Sequence, residues 1–289
     1  MARKRSLKDR LQSWLFTRRS YRFLIRDWQT LTDLPLAAQA LNTLRFSRNL
    51  QPVEATGLPG QRILVLAPHP DDELLGPGGA LLQSRAQGAT ITVLYLTSGL
   101  PHEREIREAE AREVARLCDF NSHFLRWPDG ALPADQEALQ QLAAAISAVN
   151  PDLLLLPSLF DDHDDHRRCS ELLWRLSTQQ LLPATLDVWA YQVYSAVLGN
   201  VVIDITAVST SKAEAIRCYR SQMQQRDWAH FALGLNAWNC RFLKKSAHAA
   251  AYAEMFLTLP LHEYAALCRP YFADSRTAYY AAAYQNSSL

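Results

Sequence analysis

The chain has 289 residues, 48% of them hydrophobic and 20% charged, which suits one large globular domain, or one with an appendage, with a substantial core, and no transmembrane span is expected in it. Its 30 Lys and Arg nearly balance its 29 Asp and Glu, yet eleven basic and three acidic residues fall in the first fifty positions, so a basic leader precedes a mildly acidic body. The five cysteines, Cys118, Cys169, Cys218, Cys240 and Cys268, are scattered and form no C-x-x-C pair. They point to reduced thiols in a cytoplasmic setting, not to a disulfide framework or a zinc ribbon.

Residues 6–34 space Leu7, Leu11, Trp14, Leu15, Leu24, Trp28 and Leu31 largely at helical intervals, with arginines between them. Charges break every apolar run before a signal-peptide core forms. Two readings fit this leader: a helical extension packed on the main domain, or a basic amphipathic helix resting on an anionic cytoplasmic membrane face. Residues 49–60, "NLQPVEATGLPG", read as a linker from their Pro and Gly content. The domain organisation expected is therefore an extension and linker over 1–58 and a single body over 59–289.

From there strands and helices alternate. "RILVLA" (62–67) is a strand-length apolar run, followed by a helix over 77–88, a strand over 89–99, a helix over 103–120 and a short strand within "SHFLRWPDG". A helix over 134–150, the buried strand "PDLLLLPS" (151–158), a helix near 167–181, strands near 187–194 and 201–206 and a helix over 209–225 continue the series. Residues 226–289 read as helical and aromatic-rich. Apolar strands separated by helices of this length predict an α/β fold, a Rossmann-like three-layer sandwich with a mainly parallel sheet.

Two polar clusters interrupt the pattern where strands end. "APHPDDE" begins as the first strand stops, and "FDDHDDHRR" (160–168) begins just after "LLLLPS". In a parallel sheet both loops emerge on the rim at the carboxyl ends of the strands, where such folds place their sites. Together they hold enough histidines and carboxylates for a catalytic zinc, which takes three protein ligands and leaves a position for water. His69 and Asp72, three apart on a turn stiffened by Pro70, with His166 from the second cluster, make the predicted ligand set. The cation would offset the crowded carboxylates and lower the pKa of a water for attack on a carbonyl.

Asp71, beside that water, is the expected general base. His163, as an imidazolium, would stabilise the oxyanion or protonate the leaving group. Asp165 is expected to orient one of the histidines. Glu73 reads as a solvated cap of the turn. Zinc is the expected metal, and Fe2+ suits a His-Asp-His set as well.

These residues carry a family resemblance. "PHPDDE" (68–73), "GPGGALLQSRAQGATITVLYLTSG" (76–99), "REAEAREVARLC" (107–118), "WPDGAL" (127–132), "HDDH" (163–166) and "VIDITAVSTSKAEAIRCYRSQ" (202–222) resemble the PIG-L/LmbE-type zinc-dependent N-acetylglucosaminyl deacetylases over about Arg62 to Gln222. The resemblance implies hydrolysis of an N-acetyl or related acyl group from an amino sugar in a glycoconjugate, lipid-linked in one version. It implies zinc on His69, Asp72 and His166, Asp71 as base and His163 as the electrostatic or acid partner. Arg107 matches a position where members often carry a sugar-contacting arginine, and Asp129 lies in the "DG" turn near the rim. The chain departs from the pattern at Asp164, where members often have proline, and at Asp161, where some have a tyrosine.

Two other readings use the same residues. One is an amidase acting on a sugar-thiol conjugate or another N-acyl metabolite. The other is a non-catalytic glycan- or membrane-binding module that keeps the fold. No base-reading module accompanies the basic leader, so a nucleic-acid partner is not expected. A dinucleotide enzyme is disfavoured, because the turn after the first strand lacks G-x-G-x-x-G and its carboxylates would repel a pyrophosphate.

Overall fold

Alternate residues of the strands face opposite sides of one sheet, and each side is covered by its own set of helices. The computed structural model describes residues 52–183, 185–195, 197–224, 226–244 and 251–273. The leader helix over 6–34, its membrane reading and the tail after 273 lie outside the described residues. In chain order the elements are β1 (Val53–Ala55), β2 (Arg62–Ala67), α1 (Asp72–Leu75), α2 (Gly78–Ala86), β3 (Thr90–Thr97), α3 (Arg104–Cys118), β4 (Asn121–Trp127), α4 (Gln136–Val149) and β5 (Leu153–Pro157). They continue as α5 (Asp164–Thr178), β6 (Asp187–Tyr191), β7 (Val201–Asp204), α6 (Ser209–Ile216), α7 (Arg220–Met223), α8 (Trp228–Asn239), β8 (Ala253–Pro260) and α9 (Leu261–Phe272).

The eight strands run in the order β1-β7-β8-β6-β5-β2-β3-β4. All neighbours are parallel except β8, which is antiparallel to both β6 and β7. On one face Leu64, Leu66, Leu154 and Leu156 pack against α4, α5 and α9 through Leu142, Leu173 and Leu267. On the other Ile63, Val65, Leu153 and Leu155 meet α1, α2, α3, α6 and α8 through Leu74, Leu81, Val114, Ile216 and Ala232. Cover on both faces is why these strands are continuous apolar runs instead of alternating ones. This is the predicted α/β sandwich.

Two segments differ from expectation. Residues 253–260, read as part of a helical remainder, form β8, inserted between strands distant from it in sequence. The short apolar run "AEMFLTLP" satisfies either period, and the exposed backbone edges of β6 and β7 decide it. Val53–Ala55, read as linker, is an edge strand paired with Val201–Ile203. The helix expected over 209–225 is split into α6 and α7, and the helix expected near 167–181 begins earlier, at Asp164.

The chain leaves β2 toward β3 and β4 on one side, and returns to place β5 on the other. The strand order therefore reverses at β2, and the crevice for a ligand opens at the carboxyl ends of β2 and β5. A buried ion pair pins this region from beneath. Lys212 Nζ in α6 donates to Glu254 Oε1 in β8 (2.7 Å), to Asn236 Oδ1 in α8 (3.0 Å) and to the carbonyls of Leu75 and Gly76 (3.2 and 3.1 Å). Glu254 in turn accepts the Gly79 and Ala80 N–H groups that open α2 (2.7 and 2.8 Å). Four elements are thus tied to the turn that follows β2.

On the far side of the site, Glu108 in α3 accepts from Ser98 Oγ (2.9 Å), Arg126 Nε (2.7 Å) and Arg112 Nη2 (2.6 Å). Arg126 is the largest of the influences holding the Glu108 pKa down, to about 2.

Lys212→Met should lower unfolding free energy by about 3–5 kcal/mol, because it strands a buried carboxylate; a loss below about 1 kcal/mol in urea titration would show that the pair does not hold this region. For Glu108 the folded pKa lies below the unfolded value of about 4.3. Its contribution is present in full above that value and fades as pH falls toward about 2. Its arginine partners are half exposed, so Glu108→Gln should cost only about 1 kcal/mol at pH 7, and the difference from wild type should vanish in acid unfolding near pH 2.

Candidate active site

Pro68 and His69 follow β2 directly, and the turn that comes next is tightly constrained. Asp71 has φ 129°, a region that residues with a Cβ rarely enter. It is held there by an N–H that donates to Glu73 Oε2 (3.1 Å) and a carbonyl that accepts from Leu74 and Leu75 (both 2.9 Å). The glycines of "GPGG" allow close approach: a Cβ on Gly76 would lie 2.3 Å from the Tyr191 ring, and one on Gly79 2.7 Å from Ile205. From the other loop, His163 caps α5, its Nδ1 accepting from the Asp165 N–H (3.2 Å), so that His166 sits in the first turn of a helix and not on a loop.

The two motifs meet. His69 Nδ1 lies 3.2 Å from Asp72 Oδ2, and His166 Nε2 lies 3.3 Å from the same oxygen. The donor atoms of His69, His163 and His166 fall within 4.8 Å of one another, as do those of His69, Asp129 and Asp165. Behind them stand carboxylates. His69 Nε2 is 3.1 Å from Asp165 Oδ2 and 3.0 Å from Asp129 Oδ1, and Asp165 also accepts the Gly130 N–H (2.8 Å). His166 Nδ1 is 3.0 Å from Asp161 Oδ1. Each of these two imidazoles therefore turns one nitrogen to the centre and the other to a carboxylate, the usual backing of a metal ligand.

Arg107 is buried. Its Nη2 donates to the Pro70 carbonyl (2.8 Å) and lies 3.5 Å from Asp71 Oδ2. Burial pushes the Asp71 pKa up to about 7, with Arg107 pulling against it. Burial would depress His166, but Asp72 and Asp161 raise it to about 9, and Asp72 is held well below its ordinary value by the two histidines despite its burial. His163 is lowered to about 4 by burial and by the neighbouring His69 and His166. Because Nδ1 accepts the Asp165 N–H, the neutral ring carries its proton on Nε2.

Three residues escaped the sequence reading. Glu73 is fully buried, not a solvated cap. It accepts from Tyr219 Oη at 2.5 Å, Tyr219 pairs with Tyr95 (3.2 Å), and burial lifts the Glu73 pKa to about 8. Asp161 binds the Tyr194 and Ser195 N–H groups (3.1 and 3.4 Å) and the His163 N–H (3.1 Å), besides facing His166. Tyr194, on the loop after β6, stacks on His166 with ring centroids 5.2 Å apart and planes 17° apart. Nothing in the sequence marks Tyr194, since only the hydrogen bonds to Asp161 bring its loop over the site.

Residues 64–177, which contain both motifs, match the family model described as "PIG-L: GlcNAc-PI de-N-acetylase". That stretch is similar to the PIG-L family over both motifs. Among curated relatives, the diacetylchitobiose deacetylase of Thermococcus kodakarensis is 27% identical over 225 residues, covering 69% of this chain and 84% of that protein. Among solved structures, a conserved protein of Thermus thermophilus superposes with a TM-score of 0.59 at 28% identity, covering 69% of this chain and 95% of that one. The 4-carboxy-2-hydroxymuconate hydratase of Pseudomonas putida superposes with a TM-score of 0.56 at 22% identity over 68% of this chain and 95% of its own. That likeness is one of fold, and it leaves the reaction to be argued from the site.

Asp161→Ala should leave His166 Nδ1 and three backbone N–H groups without their carboxylate, costing about 1–3 kcal/mol. Hydrogen exchange at the Tyr194 and Ser195 amides should accelerate in step; unchanged exchange there would mean that Asp161 does not hold the loop.

Proposed function

We propose that this protein is a divalent-metal-dependent deacetylase that removes the acetyl group from an N-acetylhexosamine residue of a glycoconjugate. The observation that carries the reading is that His69 Nδ1 and His166 Nε2, one from each motif, both lie against the buried Asp72 Oδ2. It is supported by the family match and by the relative that acts on diacetylchitobiose.

A cation fits this donor set. Asp72 Oδ1 is buried with no hydrogen-bond partner, and the His166 ring nitrogens lie near carboxylates without the alignment of a hydrogen bond. His69, Asp72 and His166 would hold the ion. Two imidazoles and one carboxylate favour zinc and also accept Fe2+. When bound, the ion supplies Lewis acidity to the carbonyl oxygen and eases ionisation of the attacking water.

The chain's own groups then divide the work. Asp71, whose pKa near 7 suits proton transfer at neutral pH, takes a proton as the water oxygen bonds to the acetamide carbon. His163 Nε2–H donates to the oxyanion of the tetrahedral adduct, a role open to a neutral imidazole. The C–N bond breaks, acetate leaves, and the proton held by Asp71 passes to the departing nitrogen to give the free amine. Asp165 and Asp129 orient His69, and Asp161 orients His166. Arg107 steadies Asp71 and the Pro70 carbonyl. Five free cysteines accord with a cytoplasmic location.

Chelator treatment should abolish release of amine from N,N′-diacetylchitobiose and stoichiometric Zn2+ should restore it, with His166→Ala binding no metal. Asp71→Ala should keep its metal and lose about 10²–10⁴-fold in kcat. Full activity in Asp71→Ala would remove the mechanism, and undiminished activity in chelated protein would remove the metal.

A further inference from the structure

The turn that carries Asp71 and Asp72 keeps its shape against a backbone cost. Asp71 sits at φ 129° and ψ −27°, a conformation that a residue with a Cβ adopts only where its surroundings impose it. Those angles aim the side chain, and relaxing φ toward an ordinary value would swing the carboxyl away from Arg107, whose Nη2 lies 3.5 Å from Asp71 Oδ2. Three hydrogen bonds oppose the relaxation. Two run to the Asp71 carbonyl from the Leu74 and Leu75 N–H groups of α1 (2.9 Å each). The third holds the other side of the residue, where the Asp71 N–H donates to Glu73 Oε2 (3.1 Å).

Glu73 serves as that acceptor only while its own carboxyl is held. Tyr219 Oη donates to Glu73 Oε1 at 2.5 Å, and the Tyr95 hydroxyl lies 3.2 Å from Tyr219 Oη. Each phenol has a single proton to give. With that of Tyr219 engaged by Glu73, Tyr95 donates to Tyr219, so one hydrogen-bonded chain runs from Tyr95 through Tyr219 and Glu73 to the Asp71 amide. Tyr95 is fixed in turn by stacking on Phe124, with centroids 4.9 Å and planes 16° apart. Tyr95, Tyr219 and Glu73 are all buried, which keeps solvent from replacing Glu73 as the acceptor.

Stability alone does not call for this chain. Buried polar partners replaced together by hydrocarbon of the same shape leave a fold nearly as stable or more so, and both tyrosines lie in a cluster otherwise rich in residues such as Ile63, Leu74 and Val114. What hydrocarbon could not do is accept the Asp71 N–H.

We propose that Tyr219, on the turn between α6 and α7, is a positioning residue for the reaction: through Glu73 it fixes the backbone of Asp71 and thereby the place of the carboxyl that takes the proton from water. It does so from outside residues 64–177, the stretch that is similar to the PIG-L family. The use of Asp71 as base rests on the deacetylase reading, and the clamp on its amide does not.

Tyr219→Phe removes one hydroxyl and keeps the ring. In the full-length, zinc-loaded protein it should lower kcat on N,N′-diacetylchitobiose about tenfold, with KM and zinc content per chain unchanged within about twofold. Hydrogen exchange at the Asp71 amide, read by NMR without substrate, should accelerate at least about tenfold while Leu64 and Val93 keep their wild-type protection. Glu73→Gln retains an oxygen for that amide, so it should recover at least about tenfold of the roughly 10²-fold in kcat that Glu73→Leu loses. In an Asp71→Ala background, Tyr219→Phe should change the residual rate by less than about twofold, because the group it positions is gone. Thermal unfolding checks that each variant is folded, and the contrast of Gln with Leu at Glu73 decides the matter if Tyr219→Phe is not. Wild-type kcat or wild-type Asp71 exchange in Tyr219→Phe would overturn the inference, as would a loss carried by KM or zinc content, an equal loss in the Asp71→Ala background, or equal rates in the two Glu73 variants. Faster Asp71 exchange in a protein that releases no acetate would keep the clamp and sink the deacetylase reading instead.

Discussion

The constraint from which the rest follows is the hydrogen-bonded pairing of β2 with β5. These strands are ninety residues apart in the chain but run side by side and parallel, with Ile63 opposite Leu153 and Val65 opposite Leu155. Parallel alignment sends both carboxyl ends to the same rim, and adjacency sets the two motif turns against each other. His69 and His166 therefore share Asp72 Oδ2 because two leucine-rich strands share a ladder. The chemistry depends on a backbone register that contains no polar side chain.

That arrangement crowds negative charge into a dry place. Asp71, Asp72, Glu73, Asp161 and Asp165 are all buried around the rim, with His69, His166 and Arg107 among them. The molecule handles each carboxylate differently. Asp72 stays ionised between two imidazoles, while Asp161 and Asp165 are satisfied by backbone N–H groups and histidines. Burial raises the pKa of Asp71 to about 7 and that of Glu73 to about 8, which eases the repulsion between them. Five neighbouring carboxyls from one loop pair thereby take different protonation tendencies.

Support for the strained turn is supplied from a distance. Lys212 and Glu254 close a buried network that captures the end of α1 and the beginning of α2, and they come from α6 and from the one antiparallel strand. The late part of the chain thus serves the early motif. It also supplies an aromatic wall, since Tyr194, Trp228 and Phe231 follow β6 and have no part in the two motifs. Both motifs lie within residues 64–177, and the aromatic wall lies beyond them.

What the sequence determined by itself was whatever local chemistry expresses. Leucine-rich runs of strand length separated by helices declare a covered parallel sheet, and a histidine-carboxylate cluster after a strand declares a rim. That His69, Asp71, Asp72, His163, Asp165 and His166 gather on one rim was legible because position relative to a strand end is encoded nearby. Tertiary structure alone decided the remainder. Residues 253–260 became a strand because two distant edges needed a partner, Glu73 was buried because Tyr219 reached it, and Tyr194 met His166 because Asp161 held its loop. Each of those outcomes turns on a contact between residues far apart in the chain, and periodicity, which reports only which face of an element is apolar, contains no information about which distant group will lie against it.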